Sequence, residues 1–290
     1  MTKKLFIFGY GYTARALARH LRGAADWSVA GTTRSAEKAK SMREDGVEPV
    51  IWEGSAVDAD ELSGATHVLI STPPGEAGCP ALAGSGKALA ERAGDLQWIG
   101  YLSTNGVYGD YDGAWVDETS QLRATSPRGR RRIEAEAAWL AFGRTVGVAT
   151  SIFRLPGIYG PGRSAIDSVR AGNARRIVKP GQVFSRMHVE DIAATLERAM
   201  GRPGLHDIYN LADDEPAPPQ DVIEYACELL GVEPPPLIPI DEAEMSEIAR
   251  SFYADNKRVL NKRIKEALGV ALAFPTYREG LRAILAAETA

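Results

Sequence analysis

The sequence predicts an α/β protein, a doubly wound parallel sheet with a smaller C-terminal lobe. Three observations carry the prediction. Short apolar runs alternate with amphipathic stretches through the first half of the chain. A glycine-rich turn joins the first apolar run to the first helical pattern. The second half loses that alternation and gains proline.

Residues 4–8, KLFIF, read as a buried parallel strand. Gly9, Tyr10, Gly11, Tyr12, Thr13 and Ala14 follow as G-x-G-x-x-A, and residues 15–21 read as a helix. In this setting the glycines let the backbone turn tightly and approach a pyrophosphate. Ala14 lets helix and strand pack closely, and the helix N-terminus faces the phosphate charge. The motif therefore predicts a Rossmann-type dinucleotide site. The second strand, residues 27–33, ends at Thr33 and Arg34 with no carboxylate. An acidic residue there would hold a ribose 2′-hydroxyl, whereas an arginine suits a 2′-phosphate. NADP(H) is expected over NAD(H), with NAD as the alternative cofactor. The competing reading of Arg34 is a solvated arginine at a helix start.

A polar helix is expected over 35–44, a third strand over 50–52 and a fourth over 67–71. The fourth runs from Ser71 into Thr72, Pro73 and Pro74. A helix over 84–93 is weakened at its start by Gly84 and Gly86. A fifth strand spans 98–103 and a sixth 148–153. In such sheets ligands sit beyond the carboxyl ends of the strands. That rule places Ser103, Thr104 and Pro156 beside the glycine loop, Thr33, Arg34 and residues 71–74. The expected division is a dinucleotide-binding domain over 1–160 and a substrate lobe over 161–290, interleaved with it. In the lobe, residues 216–219 lead into a helix over 220–230, and three prolines follow at 234–236.

Composition narrows the class. The chain has 290 residues, 44% hydrophobic and 25% charged, with a net charge of -4. It carries no global basic field to recruit nucleic acid or anionic membrane. Cys79 and Cys227 match no metal spacing and read as reduced thiols. No apolar run is long enough to span a bilayer, and Lys3 and Lys4 lead into a strand rather than a signal peptide. A cytoplasmic protein is expected.

Together these segments resemble the extended and atypical short-chain dehydrogenase/reductases, the NAD(P)-dependent epimerase/dehydratase family. LSTNGVYG at 102–109 resembles the fifth-strand segment, and the resemblance makes Thr104, four residues before Tyr108, the catalytic Ser/Thr. FRLPGIYGPGR at 153–163 resembles the run from the sixth strand into the substrate cleft. MHVEDIA at 187–193 and IYNL at 208–211 resemble two markers of the substrate lobe. Segments 257–269 and 274–281 resemble the C-terminal end.

The chain departs from the family at its reactive Tyr-x-x-x-Lys pair. Ser126 fits an N-cap and Pro127 a first helical position, so the two reactive places fall on Arg128 and Arg132. An arginine stays protonated, so Arg128 is no general base. Tyr108 is the nearest replacement by sequence, but the family carries that tyrosine beside an intact pair, which favours a structural role. Pairs Arg130–Glu134 and Arg132–Glu136 are expected on the helix, leaving Arg128 and Arg131 without helical partners. Two readings of these arginines stand: a solvated charged turn, or an anion site for cofactor phosphate or an acidic substrate.

An arginine four residues before the family histidine often grips a nucleotide diphosphate. Here Phe184 holds that place, and Arg186 lies on the same strand face two residues later. Arg186 and Arg163 are therefore candidate substrate residues; Arg175 and Arg176 are left open between cleft and solvent. His188 is expected to be structural, bonded near Asp191.

The resemblance implies an NADP-preferring oxidoreductase or epimerase-like enzyme with altered proton chemistry, acting on a small anionic or nucleotide-sugar-like molecule. The alternative is a non-catalytic NADP(H)-binding redox sensor. A homodimer through the arginine-bearing helix would put Ile133, Ala137, Ala138 and Leu140 near the interface.

Overall fold

The computed structural model describes residues 3–23, 26–202 and 207–289. In chain order the first half runs β1 (Lys3–Phe8), α1 (Tyr12–Arg22), β2 (Trp27–Thr33), α2 (Ala36–Glu44), β3 (Glu48–Ile51), β4 (His67–Ile70), α3 (Pro80–Glu91) and β5 (Trp98–Thr104). A 3₁₀ turn (Asn105–Tyr108) leads to β6 (Trp115–Val116), α4 (Pro127–Val146), β7 (Ala149–Leu155), β8 (Gly157–Tyr159), α5 (Ala165–Arg170) and β9 (Arg176–Val178). Then come β10 (Arg186–His188), α6 (Val189–Met200), β11 (Asp207–Asn210), α7 (Pro219–Leu230), β12 (Leu237–Pro239), α8 (Glu247–Ala254), β13 (Arg258–Val259), α9 (Lys262–Leu268) and α10 (Tyr277–Thr289).

Seven parallel strands form the central sheet in the order β11-β7-β5-β4-β1-β2-β3. Both faces are covered, which is why its strands read as continuous apolar runs. Along β1, Leu5 and Ile7 point into the layer with Leu17, Leu196 and Ile264 from α1, α6 and α9. Phe6 and Phe8 point into the opposite layer with Leu89 of α3 and Trp139 of α4. The six strands read from the sequence all enter this sheet.

The seventh strand is a correction. Residues 208–211 were expected as a marker of the substrate lobe, yet β11 pairs with β7 at the sheet edge, Ile208 opposite Ile152. Tyr209 stacks on Phe153 with ring centroids 5.7 Å apart. A four-residue strand shows too little periodicity to be placed from the sequence. The chain after residue 160 thus returns to the sheet through α6 and β11. The remainder builds a lobe around Tyr159, Ile166, Ala226, Tyr277 and Leu281, from β8, α5, α7 and α10.

Helix α3 starts four residues earlier than expected, with Pro80 in its first turn. Gly84, read as a weakness, is a packing requirement. A Cβ there would stand 2.2 Å from the Ser55 carbonyl oxygen. Helix α4 starts where expected, and the Ser126 hydroxyl accepts the Gly129 N–H at 3.1 Å. On that helix Ile133 and Leu140 pack in part against the chain's own core. No helix among the described residues is long and apolar enough to cross a membrane.

Candidate functional site

The turn after β1 is tied to β2 before any ligand is considered. Gly9 donates its N–H to Thr32 Oγ1 at 2.8 Å, and Tyr10 donates to the Thr32 carbonyl at 3.0 Å. Gly9 has φ +87, and a Cβ there would come within 2.8 Å of the Thr72 side chain. The backbone conformation and the crowding both select glycine. Gly11 caps α1 with no side-chain bond, so no side chain covers the first amides of the helix. Thr13 and Ala14 are buried, and Ala14 packs in the core beneath the loop.

A cavity of about 580 Å³ opens at this edge of the sheet, at the carboxyl ends of the strands. Gly9, Tyr10, Gly11, Thr33, Arg34, Ser71, Thr72 and Pro73 line it, as expected, while Pro74 stands outside its wall. Ser35, Lys38, Trp52, Glu53 and Gly54 line it too and were missed. Lys38 lies one helical turn after Arg34, the one signal in the sequence that was available for it. Among the described residues, neither Arg34 nor Lys38 forms an ion pair. Burial pushes the Tyr10 phenol up to about 12, and its hydroxyl is buried without a protein partner.

The remaining expected cofactor residues lie elsewhere. Tyr12 donates its hydroxyl to the Pro161 carbonyl at 3.1 Å, joining the glycine loop to the segment after β8. Pro156 lines a second cavity. Ser103 is a correction: it is buried and donates to Glu136 Oε1 at 2.5 Å, inside the protein rather than in the first cavity.

The second cavity, about 520 Å³, lies between the sheet and the lobe. Thr104 and Asn105 form one end, and Phe184, Phe252, Tyr277 and Leu281 supply apolar walls. Thr104 Oγ1 accepts the Gly106 N–H at 3.1 Å, which fixes the residue at the end of β5. Arg163 and Arg186 both reach this cavity. Arg163 is exposed, with its guanidinium 5.6 Å from the centre of the Tyr12 ring. Arg186 donates through Nη2 to the Ala217 carbonyl at 3.2 Å, while Nη1 is buried without a protein partner. Arg175 and Arg176 turn away, the first to the Glu244 carbonyl, the second to Glu224 at 2.8 Å.

His188 is structural in this arrangement, although not through Asp191. It caps α6, with Nδ1 accepting the Glu190 N–H at 3.3 Å. Burial pulls its pKa down to about 4, so the ring is neutral at physiological pH. Asp191 instead accepts the backbone N–H groups of Ala273 and Phe274, at 2.8 and 3.0 Å.

At the reactive-pair positions, the expected helical pairs do not form. Arg132 donates to the Leu102 carbonyl at 2.6 Å and the Tyr101 hydroxyl at 3.1 Å. Arg130 reaches the Thr125 carbonyl, and Arg131 pairs with Glu76 at 3.0 Å. Glu136 is unavailable to Arg132 because it is buried against Arg154, N to O 2.8 Å. Arg154 also donates to the Tyr108 hydroxyl at 2.9 Å, which in turn donates to Asn210 Oδ1 at 2.6 Å. Tyr108 is fully buried, and burial pushes its phenol up to about 12. As a replacement proton carrier it is corrected, because its hydroxyl is locked inside the wall. Arg128 is exposed, its guanidinium 5.9 Å from the centre of the Phe252 ring at the edge of the second cavity.

Comparisons with known proteins agree with this architecture. The profile of the NAD dependent epimerase/dehydratase family matches residues 88–212. Protein YeeZ of Escherichia coli is 30% identical over 250 residues, 80% of this chain and 86% of that one. A functionally unknown conserved protein from Silicibacter pomeroyi superposes with TM-score 0.92 and 51% identity, covering 99% of each chain. UDP-glucuronic acid 4-epimerase from Bacillus cereus, solved with UDP-glucuronic acid and NAD, shares the fold with TM-score 0.75 and 16% identity, covering 97% of each chain. The chain belongs to the NAD dependent epimerase/dehydratase family.

Proposed function

We propose that the protein is an NADP(H)-preferring oxidoreductase or epimerase-like enzyme acting on an anionic small molecule of the nucleotide-sugar type. The observation that carries the cofactor reading is the first cavity: a positive-φ Gly9, helix amides with no side-chain cap, and Arg34 with Lys38 on the rim. These residues fit a dinucleotide. The amides of α1 would face the pyrophosphate, and Arg34 and Lys38 would face a 2′-phosphate, their two positive charges outweighing Glu53. When bound, the nicotinamide supplies hydride transfer.

The substrate reading rests on the second cavity. Its walls are apolar, its cations are Arg163 and Arg186, and Thr104 stands at its end. Solved structures of similar fold hold nucleotide sugars beside NAD. Arg128 adds positive charge where the family places its proton carrier, so it would bind or orient an anion and not move a proton, while Arg132 is held by the Leu102 carbonyl and the Tyr101 hydroxyl.

The test is a titration of cofactor-stripped protein with NADPH and with NADH, followed by nicotinamide fluorescence. A charge-assisted contact to a 2′-phosphate is worth roughly 1.5–3 kcal/mol, about 10- to 100-fold in affinity. NADPH should bind at least tenfold more tightly, and Arg34→Ala should remove most of the difference. Equal or tighter binding of NADH overturns the preference. One observation favours a second reading, a non-catalytic NADP(H) sensor: both reactive positions carry arginine. Tight NADPH binding with no turnover across carbonyl and nucleotide-sugar panels would select it.

A further inference from the structure

One side chain joins the two cavities. Tyr12 is the first residue of α1, and its backbone N–H is among the amides that Gly11 leaves without a side-chain cap beside the first cavity. Its phenol reaches the segment after β8 and donates to the Pro161 carbonyl at 3.1 Å. Burial raises that phenol above its ordinary value, so the hydroxyl keeps the proton it donates. The Arg163 guanidinium lies 5.6 Å from the centre of the same ring, and Arg163 lines the second cavity.

The turn that Tyr12 touches has little else to hold it. Across residues 160–163, Gly160 and Arg163 exchange backbone bonds at 3.2 and 3.0 Å. The flanks are fixed, since Tyr159 pairs opposite His188 and Ser164 closes a capping box with Asp167 on α5. Among the described residues, Tyr12 supplies the only hydrogen bond that reaches this turn from outside it. Arg163 there forms no ion pair and donates no side-chain hydrogen bond, which leaves the Tyr12 ring as its support. The fit is close. A Cβ at Gly160 would stand 2.6 Å from the Tyr12 hydroxyl oxygen and 2.7 Å from the Val189 side chain.

We propose that Tyr12 is a positioning residue that couples the cavities: a dinucleotide seated on the first turn of α1 fixes Tyr12, and Tyr12 fixes the 160–163 turn with Arg163 in the wall of the second cavity. The inference rests on the reading of the first cavity as the dinucleotide site. The element with two states is the first turn of α1. It has no side-chain cap and no acidic residue, so it is free to fray in the unliganded protein. A pyrophosphate on its amides, favoured by the helix dipole, holds it formed. The phenol rides on that turn, so its bond to Pro161 and its ring beside Arg163 are held as well. Coupling is reciprocal: a ligand that engages Arg163 tightens the dinucleotide by the same factor. One neutral hydrogen bond sets the scale, about 2- to 10-fold in a binding constant.

The experiment is hydrogen exchange of residues 159–164 in the full chain, free and saturated with NADPH, or with NADH where that binds more tightly. Nicotinamide fluorescence establishes saturation. In wild type the dinucleotide should slow exchange at the Gly160 and Arg163 amides about 2- to 10-fold. Tyr12→Phe keeps the ring beside Arg163 and removes the bond. In that variant the dinucleotide should still protect the glycine loop and leave residues 159–164 unchanged. A purely structural bond would alter the turn equally with and without dinucleotide. Gly160→Ala, whose Cβ displaces the same hydroxyl, should repeat the pattern, and it decides if Tyr12→Phe does not fold. Turn protection that is absent in wild type, or that survives in either variant, overturns the coupling alone. Failure of both dinucleotides to bind, seen in the fluorescence, overturns the cofactor reading and the coupling with it. UDP-glucose, titrated with and without NADPH, reads the second cavity. Wild type should bind it about 2- to 10-fold more tightly with the dinucleotide, and Tyr12→Phe equally in both states. UDP-glucose affinity indifferent to the dinucleotide in wild type overturns the coupling. Failure of UDP-glucose beside the full exchange pattern removes the nucleotide-sugar reading and supports the coupling.

Discussion

Replacing Glu136 by alanine tests the buried network behind the cleft. The Glu136 and Arg154 side chains are 4% and 2% exposed, and the carboxylate meets Arg154 through Nε and Nη2. It also accepts the Ser103 hydroxyl at 2.5 Å. Alanine leaves a guanidinium buried with its main counter-charge gone and a serine hydroxyl without its acceptor. Breaking a buried pair from one side costs roughly 3–5 kcal/mol. With an unfolding entropy of about 2.1 cal/mol/K per residue, a chain of this length should lose roughly 5–8 °C in Tm. Urea and thermal denaturation read the loss. The double change Glu136→Met, Arg154→Met should recover most of it, because both charges leave together. A single-variant loss below about 1 kcal/mol would place the pair with exposed ion pairs and refute the reasoning. A double variant no better than the single would refute it as well. The network also anchors Ser103 next to Thr104, so Glu136→Ala should impair ligand binding at the second cavity even where the protein is still folded.

Gly9→Ala should destabilise the fold by roughly 1–3 kcal/mol and strongly weaken dinucleotide binding, since φ is +87 and Thr72 blocks the new Cβ; wild-type NADPH affinity in the variant would refute it. Arg128→Ala should leave stability within about 0.5 kcal/mol, as expected for an exposed side chain with one ring contact. The same variant should weaken an anionic ligand several-fold, an effect that shrinks at high salt; titration calorimetry showing unchanged affinity removes the anion role. Asp213→Asn should alter the pH dependence of stability. Burial lifts the Asp213 carboxyl to about 8, well above the ordinary carboxylate range, so the folded state holds an extra proton between the ordinary value and that one. Wild-type stability therefore falls as pH rises through that window, by at most about 1.4 kcal/mol per unit. The variant should match wild type near pH 4 and exceed it near pH 8, and parallel denaturation curves at the two pH values would refute the assignment.

The glycine loop, six of the seven sheet strands and the Ser126 cap were legible because each is a local pattern. A turn conformation, a two-sided apolar strand and a capping bond all form between residues close in sequence. Local reading failed where partners come from distant elements. The i,i+4 spacing pairs Glu136 with Arg132, one helical turn away, but the sheet brings Arg154 against it from β7. Ser103 and Tyr108 sit beside candidate site positions in the chain, yet both hydroxyls turn into that same network. Trp52, Glu53 and Gly54 reach the first cavity only because β3 pairs with β2. Asp213 stands beside Arg186 because its N–H donates to the Arg186 carbonyl, tying the loop after β11 to β10. The doubly wound fold and the glycine loop are written in short spans of sequence, because backbone geometry and hydrophobic periodicity are local. Tertiary structure alone decided which buried charges are paired and which face the cleft, because a guanidinium takes the carboxylate that folding brings within reach.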